Sequence, residues 1–194
     1  MRGSYSSRFE QALIYAYRLH GGQTRKGGDT PYMSHLMAVC GLVMEHGGTE
    51  DQCIAALLHD AVEDQGGRVT ADEIELRFGG SVRCIVDGCS DSEVTPKPPW
   101  RNRKEAYLSH LREAPEEVRL VSCCDKIHNA RTLVCDLRLR GPQMWNRFNA
   151  SPAETVWYFR SIVATLREAG GPFALAAELE RTVDALEVLM QEGS

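Results

Sequence analysis

The densest group of potentially reactive side chains lies in one short segment, where His59 and Asp60 are followed by Glu63 and Asp64. The adjacent histidine and aspartate offer a nitrogen and an oxygen ligand to a cation. The two acids that follow offer proton acceptors within about a helical turn of those ligands. The residue types therefore suit metal-assisted hydrolysis.

We predict that residues 51–64 form one helix. Thr49 and Gln52 have the spacing of a capping box, and Gly66 suits the C-terminal end of a helix. On this prediction, the three acids stand where the helix macrodipole favours cations by about 0.3–1 kcal/mol each. A bound cation would remove the conflict, and a solvated acidic helix end is the alternative.

Three further side chains suit the same chemistry. His35 stands near the start of a predicted helix beside its apolar stripe, where a core or boundary histidine is the alternative to a metal ligand. Asp125 directly follows an apolar run, and a buried carboxylate requires a partner. Asn129 lies one turn further along the same helix face.

The rest of the chain predicts an all-α fold of roughly eight helices. Ser6 or Ser7 suits the start of a first helix, and Ser151-Pro152-Ala153-Glu154 is a strong helix start. Thr70 and Glu73 have the form of another capping box, which predicts a helix over residues 70–78. Residues 91–103, rich in proline and basic residues, form the one long predicted loop.

Size and composition favour one soluble domain over residues 1–194. The net charge of −5 argues against a nucleic-acid partner. No apolar run approaches the ~20 residues that span a bilayer, and no signal peptide is recognised, so no membrane partner is expected. Seven cysteines without CxxC pairs favour free thiols and a cytoplasmic location.

The ordered motifs resemble the HD phosphohydrolase superfamily, whose mark is H…HD…D. More narrowly, they are similar to the (p)ppGpp hydrolase domain of RelA/SpoT enzymes and of stand-alone small alarmone hydrolases. The motifs that carry this resemblance are Arg25-Lys26-Gly27, Pro31-Tyr32-Met33-Ser34-His35, His59-Asp60-Ala61-Val62-Glu63-Asp64 and Asp125-Lys126-Ile127-His128-Asn129-Ala130-Arg131-Thr132.

The resemblance implies an enzyme that removes the 3′-pyrophosphate of ppGpp or pppGpp with the help of one divalent ion, usually Mn²⁺. The implied metal ligands are His35, His59, Asp60 and Asp125. The implied catalytic residues are Glu63, Asp64 and Asn129, of which the two acids orient and deprotonate the attacking water. The expected substrate contacts are Arg25, Lys26, Lys97, Arg101 and Arg147 on phosphates, with Tyr32 and Tyr158 on the nucleoside.

Two alternatives stay open at this point. Another HD phosphohydrolase would share the metal site and act on ppApp, the 2′-phosphate of NADPH or a nucleoside 5′-monophosphate. An HD protein that only senses a nucleotide would keep the ligands but lose the acidic pair, which is present here. In each case the partner is a small purine nucleotide, and a homo-oligomer is compatible with the sequence.

Overall fold

The computed structural model describes residues 5–90 and 98–192, and every regular element in them is helical, which confirms the all-α prediction. An isolated β-bridge joins Thr24 to Pro31. A 3₁₀ helix, η1, spans Pro142–Arg147. The α-helices are α1 (Ser7–His20), α2 (Met33–Glu45), α3 (Glu50–Leu58), α4 (Ala61–Gln65), α5 (Gly67–Phe78), α6 (Gly80–Cys89), α7 (Trp100–Glu113), α8 (Glu116–Arg140), α9 (Pro152–Glu168) and α10 (Phe173–Glu192).

The described residues group into two compact units, one within residues 1–97 and the other within residues 98–194. The first unit holds α1 to α6 and is organised around α3, which packs against α1, α2 and α6. Every residue from Gln52 to Leu58 is buried, because helices surround α3 on several sides. This packing fixes the end of α3, where the candidate ligands begin.

The second unit holds α7 to α10 and η1. Its longest helix, α8, packs against α10 and α9, and α7 packs against α9. Ile127 and Ala130 on α8 are fully buried. Leu179 on α10 is also fully buried, and Leu175 on the same helix is only 1% exposed. The single domain expected over residues 1–194 stays a prediction.

The prediction of one helix over residues 51–64 is wrong in one respect. The helix ends at Leu58, and α4 restarts at Ala61 after a turn formed by His59 and Asp60. Asp60 is thus the N-cap residue of α4, and Glu63 and Asp64 lie in its first turn. The predicted conflict assumed one long helix over residues 51–64, which the structure does not have.

Several predicted boundaries also shift. The capping box at Thr70 is not formed, because α5 already begins at Gly67 and encloses Thr70 in its second turn. Gly66 does end the acidic helix, as its C-cap residue, and the left-handed glycine that follows it is Gly67, with φ of 56°. Helix α7 begins at Trp100, inside the segment predicted as a loop, and residues 91–97 of that segment lie outside the described residues.

Other local predictions are confirmed. The capping boxes at Thr49 and Ser151 are both formed, and Ser6 caps α1. All seven cysteines lie in the described part of the chain and are free thiols.

Among the described residues, no helix combines the length and apolar character needed to cross a bilayer.

Candidate functional site

The break between α3 and α4 presents His59 and Asp60 side by side. The His59 ring is almost fully buried, and its Nδ1 lies 2.8 Å from the backbone oxygen of Ala56. A carbonyl oxygen can only accept a hydrogen bond, so Nδ1 carries the proton. The other ring nitrogen, Nε2, then offers a lone pair, which is the state required of a metal ligand.

His35 and His59 converge on one carboxylate oxygen. The Nε2 atoms of His35 and His59 lie 3.5 and 3.1 Å from Asp60 Oδ2, and the two ring centroids are 5.2 Å apart. Both rings are buried, with 1% and 2% of the side chain exposed, whereas Asp60 is 24% exposed. Two imidazole nitrogens and a carboxylate oxygen in this arrangement fit a divalent cation of the Mn, Fe, Co or Zn type.

Tyr32, just before α2, fixes the orientation of that carboxylate. Its hydroxyl donates a hydrogen bond of 2.6 Å to Asp60 Oδ2. Burial first, and then the negative charge of Asp60, raise the pKa of Tyr32 well above its ordinary value. The guanidinium of Arg25 lies 5.4 Å from the centroid of the Tyr32 ring. Tyr32 therefore connects the predicted phosphate-binding loop to the candidate metal ligand.

The loop that carries Arg25 and Lys26 is held closed by its own backbone. Arg25 N–H donates to the oxygen of Thr30 over 2.8 Å, and the bridge between Thr24 and Pro31 closes the same loop. Lys26 is exposed, and Arg25 is half-buried. The two cations are thus presented from a defined turn that lies next to Tyr32.

The two predicted catalytic acids occupy different surroundings. Glu63 is half-buried, whereas Asp64 is exposed. Asp64 Oδ2 accepts a hydrogen bond of 2.8 Å from the amide nitrogen of Gln23. The two acids are adjacent in the first turn of α4, three and four residues after the candidate ligand Asp60.

In the second unit, Asp125 is buried and accepts hydrogen bonds on both oxygens. Lys126 Nζ donates to Oδ2 and Asn129 Nδ2 donates to Oδ1, each over 2.5 Å. Although burial disfavours the charged lysine, the nearby Asp125 carboxylate raises the pKa of Lys126 well above its ordinary value. The prediction that a buried Asp125 needs partners is thus borne out, and Asn129 contacts it directly.

The other predicted substrate residues of the second unit have partners within it. Arg101 pairs with Glu105 over 2.7 Å, and its guanidinium lies 3.1 Å from the centroid of the Trp157 ring. Tyr158 is buried, with Lys104 Nζ 4.8 Å above its ring.

Arg147 donates to Asp136 Oδ2 over 2.7 Å and to the oxygen of Met144 over 3.1 Å. These contacts give Arg147 a role in holding η1 against α8. Lys97 lies outside the described residues. The substrate roles of both residues stay predictions.

A sequence profile described as the HD domain matches residues 12–151. The chain belongs to the HD domain family. The resemblance drawn from its motifs is thereby confirmed at the level of the superfamily.

Curated relatives narrow the similarity within the HD domain family. The guanosine-3′,5′-bis(diphosphate) 3′-pyrophosphohydrolase MESH1 of Xenopus tropicalis is 36% identical over 139 residues, or 70% of this chain and 73% of the relative. The Homo sapiens protein of the same name is 34% identical over 147 residues, or 74% of this chain and 77% of the relative.

A solved structure has the same fold as this chain. It is described as a metazoan ortholog of SpoT that hydrolyses ppGpp and plays a role in starvation responses. It matches this HD domain chain with a TM-score of 0.71 and 26% identity, and it covers 98% of both chains. The similarity therefore extends over the whole fold.

Two polar residues of this HD domain chain were not predicted from the sequence. Lys126 follows Asp125 directly, so the requirement of a buried carboxylate for a partner could have pointed to it. Gln23 lies 41 positions before Asp64 and carried no local signal. Its contact depends on how the loop after α1 folds back onto α4.

Proposed function

We propose that this protein hydrolyses the 3′-pyrophosphate of the guanosine alarmones ppGpp and pppGpp, releasing pyrophosphate and GDP or GTP. One observation carries the hydrolytic part: the Nε2 atoms of His35 and His59 approach the same oxygen of Asp60. The choice of substrate is supported by the similarity to MESH1 over most of both chains.

The proposed cofactor is one Mn²⁺ ion. His35, His59 and Asp60 are its ligands in the first unit, and the order of the HD motifs adds Asp125 as the fourth. When bound, such an ion lowers the pKa of water towards ~7 and offsets negative charge on phosphoryl oxygens. The proton on His59 Nδ1 supports the assignment, because it leaves Nε2 as the ligand atom.

Glu63 is the proposed general base. Its carboxylate stands three residues after Asp60 in the first turn of α4, where it accepts a proton from the attacking water. Asp64 is proposed to orient that water through its second carboxylate oxygen, since Oδ2 already accepts from Gln23. Asn129 holds the Asp125 carboxylate in place through its hydrogen bond to Oδ1.

The proposed substrate contacts are residues that bind phosphates and residues that contact the nucleoside. Arg25 and Lys26 bind phosphates from the closed loop beside Tyr32, and Tyr32 contacts the nucleoside. Lys97, Arg101 and Arg147 are proposed as further phosphate contacts, and Tyr158 as a second nucleoside contact. Of these, Arg25 is the best supported, because its guanidinium lies over the ring of Tyr32, whose hydroxyl donates a hydrogen bond to Asp60.

The proposed location is the cytoplasm, where the seven free thiols would remain reduced. Fractionation of cells that express the tagged protein would check the assignment, and recovery with an extracellular or membrane fraction would contradict it.

The function is tested by incubating the full chain with Mn²⁺ and a panel of ppGpp, pppGpp, ppApp, NADPH and nucleoside 5′-monophosphates. Release of pyrophosphate from ppGpp and pppGpp is the expected result, and His59→Ala is the inactive control. Orthophosphate release from NADPH or a monophosphate, with the alarmones left intact, would overturn the proposed reaction. Preference for ppApp would keep the reaction and change only the base.

A further inference from the structure

The side chain of Gln23 holds three polar groups together at the start of the loop after α1. Its Nε2 donates to Asp64 Oδ2 over 2.8 Å, and its Oε1 accepts from Gln65 Nε2 over 2.7 Å. The same oxygen lies 2.7 Å from His20 Nδ1. A carboxylate only accepts hydrogen bonds, so the amide nitrogen must face Asp64 and the amide oxygen must face the other two residues.

This orientation also determines the proton position on His20. Because Gln23 Oε1 is an acceptor, His20 Nδ1 must carry the proton. The ring is fully buried, and within the described part of the chain its Nε2 has no hydrogen-bond partner. It stacks on Tyr32 with centroids 5.3 Å apart and an interplanar angle of 16°. His20 is therefore a fixed donor that holds the Gln23 amide from the buried side.

The backbone of Gln23 anchors a different group. Its carbonyl oxygen accepts from Tyr32 N–H over 2.9 Å, and its N–H donates to the oxygen of His20 over 2.9 Å. These bonds lie at the base of the loop that the bridge between Thr24 and Pro31 closes. One residue thus fastens the loop carrying Arg25 and Lys26 with its backbone and holds Asp64 with its side chain.

We propose that Gln23 is a positioning residue that fixes the Asp64 carboxylate relative to the loop carrying Arg25 and Lys26, with His20 as its buried support. Asp64 is exposed, so without the Gln23 amide its carboxylate would sample several rotamers in solvent. The inference rests on the proposed function, in which Asp64 orients the attacking water.

The test is a steady-state comparison of Gln23→Leu with the wild type on ppGpp and Mn²⁺. Loss of a hydrogen bond that orients a reacting group predicts a fall in kcat of about 10-fold or more. KM is expected to change by less than about twofold, because Gln23→Leu keeps the backbone bonds that shape the phosphate-binding loop. Gln65→Leu is the matched control, since it removes a bond to the same amide oxygen but leaves the bond to Asp64.

A double-mutant cycle decides whether Gln23 acts through Asp64. In an Asp64→Ala background, Gln23→Leu is expected to change kcat by less than about twofold, since the carboxylate it orients is gone. An equal loss in both backgrounds would overturn the proposal, as would a rise in KM with unchanged kcat. A wild type inactive on every 3′-pyrophosphorylated nucleotide would instead overturn the proposed function, and the positioning role with it.

A second measurement does not need residual activity. ¹⁵N NMR of the histidine side chains is expected to show His20 with its proton on Nδ1 in the wild type and in Gln65→Leu. Gln23→Leu is expected to shift that tautomer, and His20→Phe assigns the signal by its loss. A His20 tautomer that is identical in the wild type and in Gln23→Leu would contradict the network.

Discussion

The Tyr32 hydroxyl donates a hydrogen bond to the Asp60 oxygen that both candidate histidine ligands approach. The bond is 2.6 Å long and joins the residue before α2 to the N-cap residue of α4. One of the lone pairs of that oxygen is thus occupied, and the hydrogen bond restricts how the Asp60 carboxylate is oriented towards His35 and His59. Loss of a residue that holds a metal ligand in this way typically lowers metal affinity or activity by about 10- to 100-fold.

Tyr32→Phe is therefore expected to weaken the site while it leaves the fold intact. The substitution removes the hydroxyl but keeps the ring that stacks on His20. We expect an increase of about 10-fold in the Kd for Mn²⁺, or a similar fall in kcat, because outer hydrogen-bond partners of metal ligands typically contribute that much. Calorimetric titration with Mn²⁺ measures the first, and unchanged Kd and kcat would contradict the role assigned to the hydroxyl.

Metal binding and proton acceptance should separate in a second pair of variants. Glu63→Gln keeps the size of the side chain but removes the proton acceptor, and we expect turnover to fall by about 100-fold or more with Mn²⁺ binding retained. His59→Ala should lose both, because it removes a proposed ligand. Titration with Mn²⁺ and pyrophosphate release are measured on the same preparations. Loss of Mn²⁺ binding in Glu63→Gln would show that Glu63 is a ligand instead.

The candidate metal ligands His59 and Asp60 follow α3, and this helix begins with a capping box at Thr49. The Thr49 hydroxyl accepts from Gln52 N–H over 3.3 Å, and Gln52 Oε1 accepts from Thr49 N–H over 2.6 Å. Thr49→Ala is expected to reduce the free energy of unfolding by about 1 kcal/mol, the usual effect of losing such a cap. Urea denaturation measures it, and Thr49→Ser, which keeps the hydroxyl, is the control. Equal stability of all three proteins would contradict the cap.

The caps at Thr49 and Ser151 could be predicted because their partners lie three residues away, so a local pattern contains the whole interaction. Thr70 shows the limit of that signal. It has the same spacing to Glu73, but the left-handed conformation of Gly67 lets α5 begin one turn earlier. Two helix starts then compete, and tertiary packing chooses between them.

Some features of the candidate site could likewise be predicted from the sequence, and others could not. The grouping of His35, His59 and Asp60 could be expected because the HD motifs keep such residues in short segments of recognisable type, and their roles stay predictions. The break at His59 and Asp60 could not, because no glycine or proline marks it in the sequence, and Asp60 departs from ideal helical angles only moderately, with φ and ψ of −97° and −3°. Gln23 was missed because its partners Asp64 and Gln65 are 41 and 42 positions away.

A last prediction concerns pH and the packing of α1 on α5. The Tyr15 hydroxyl donates to Glu73 Oε2 over 2.9 Å, and the Arg77 guanidinium lies 4.9 Å from the Tyr15 ring centroid. Burial first, and then the hydrogen bond to Glu73, raise the pKa of Tyr15 to about 12. An unfolded tyrosine titrates near 10, so between about pH 10 and pH 12 the unfolded chain loses this proton before the folded chain does.

The stability that Tyr15 contributes is therefore complete below about pH 10 and is lost as the pH rises towards 12. We expect Tyr15→Phe to be less stable than the wild type at pH 8, with the difference shrinking at pH 11. Denaturant unfolding at both values measures it, and Tyr17→Phe, at an exposed position of the same helix, is the control. A difference that grows with pH would mean that the folded protein favours the ionised phenol, contrary to its partnership with the Glu73 carboxylate.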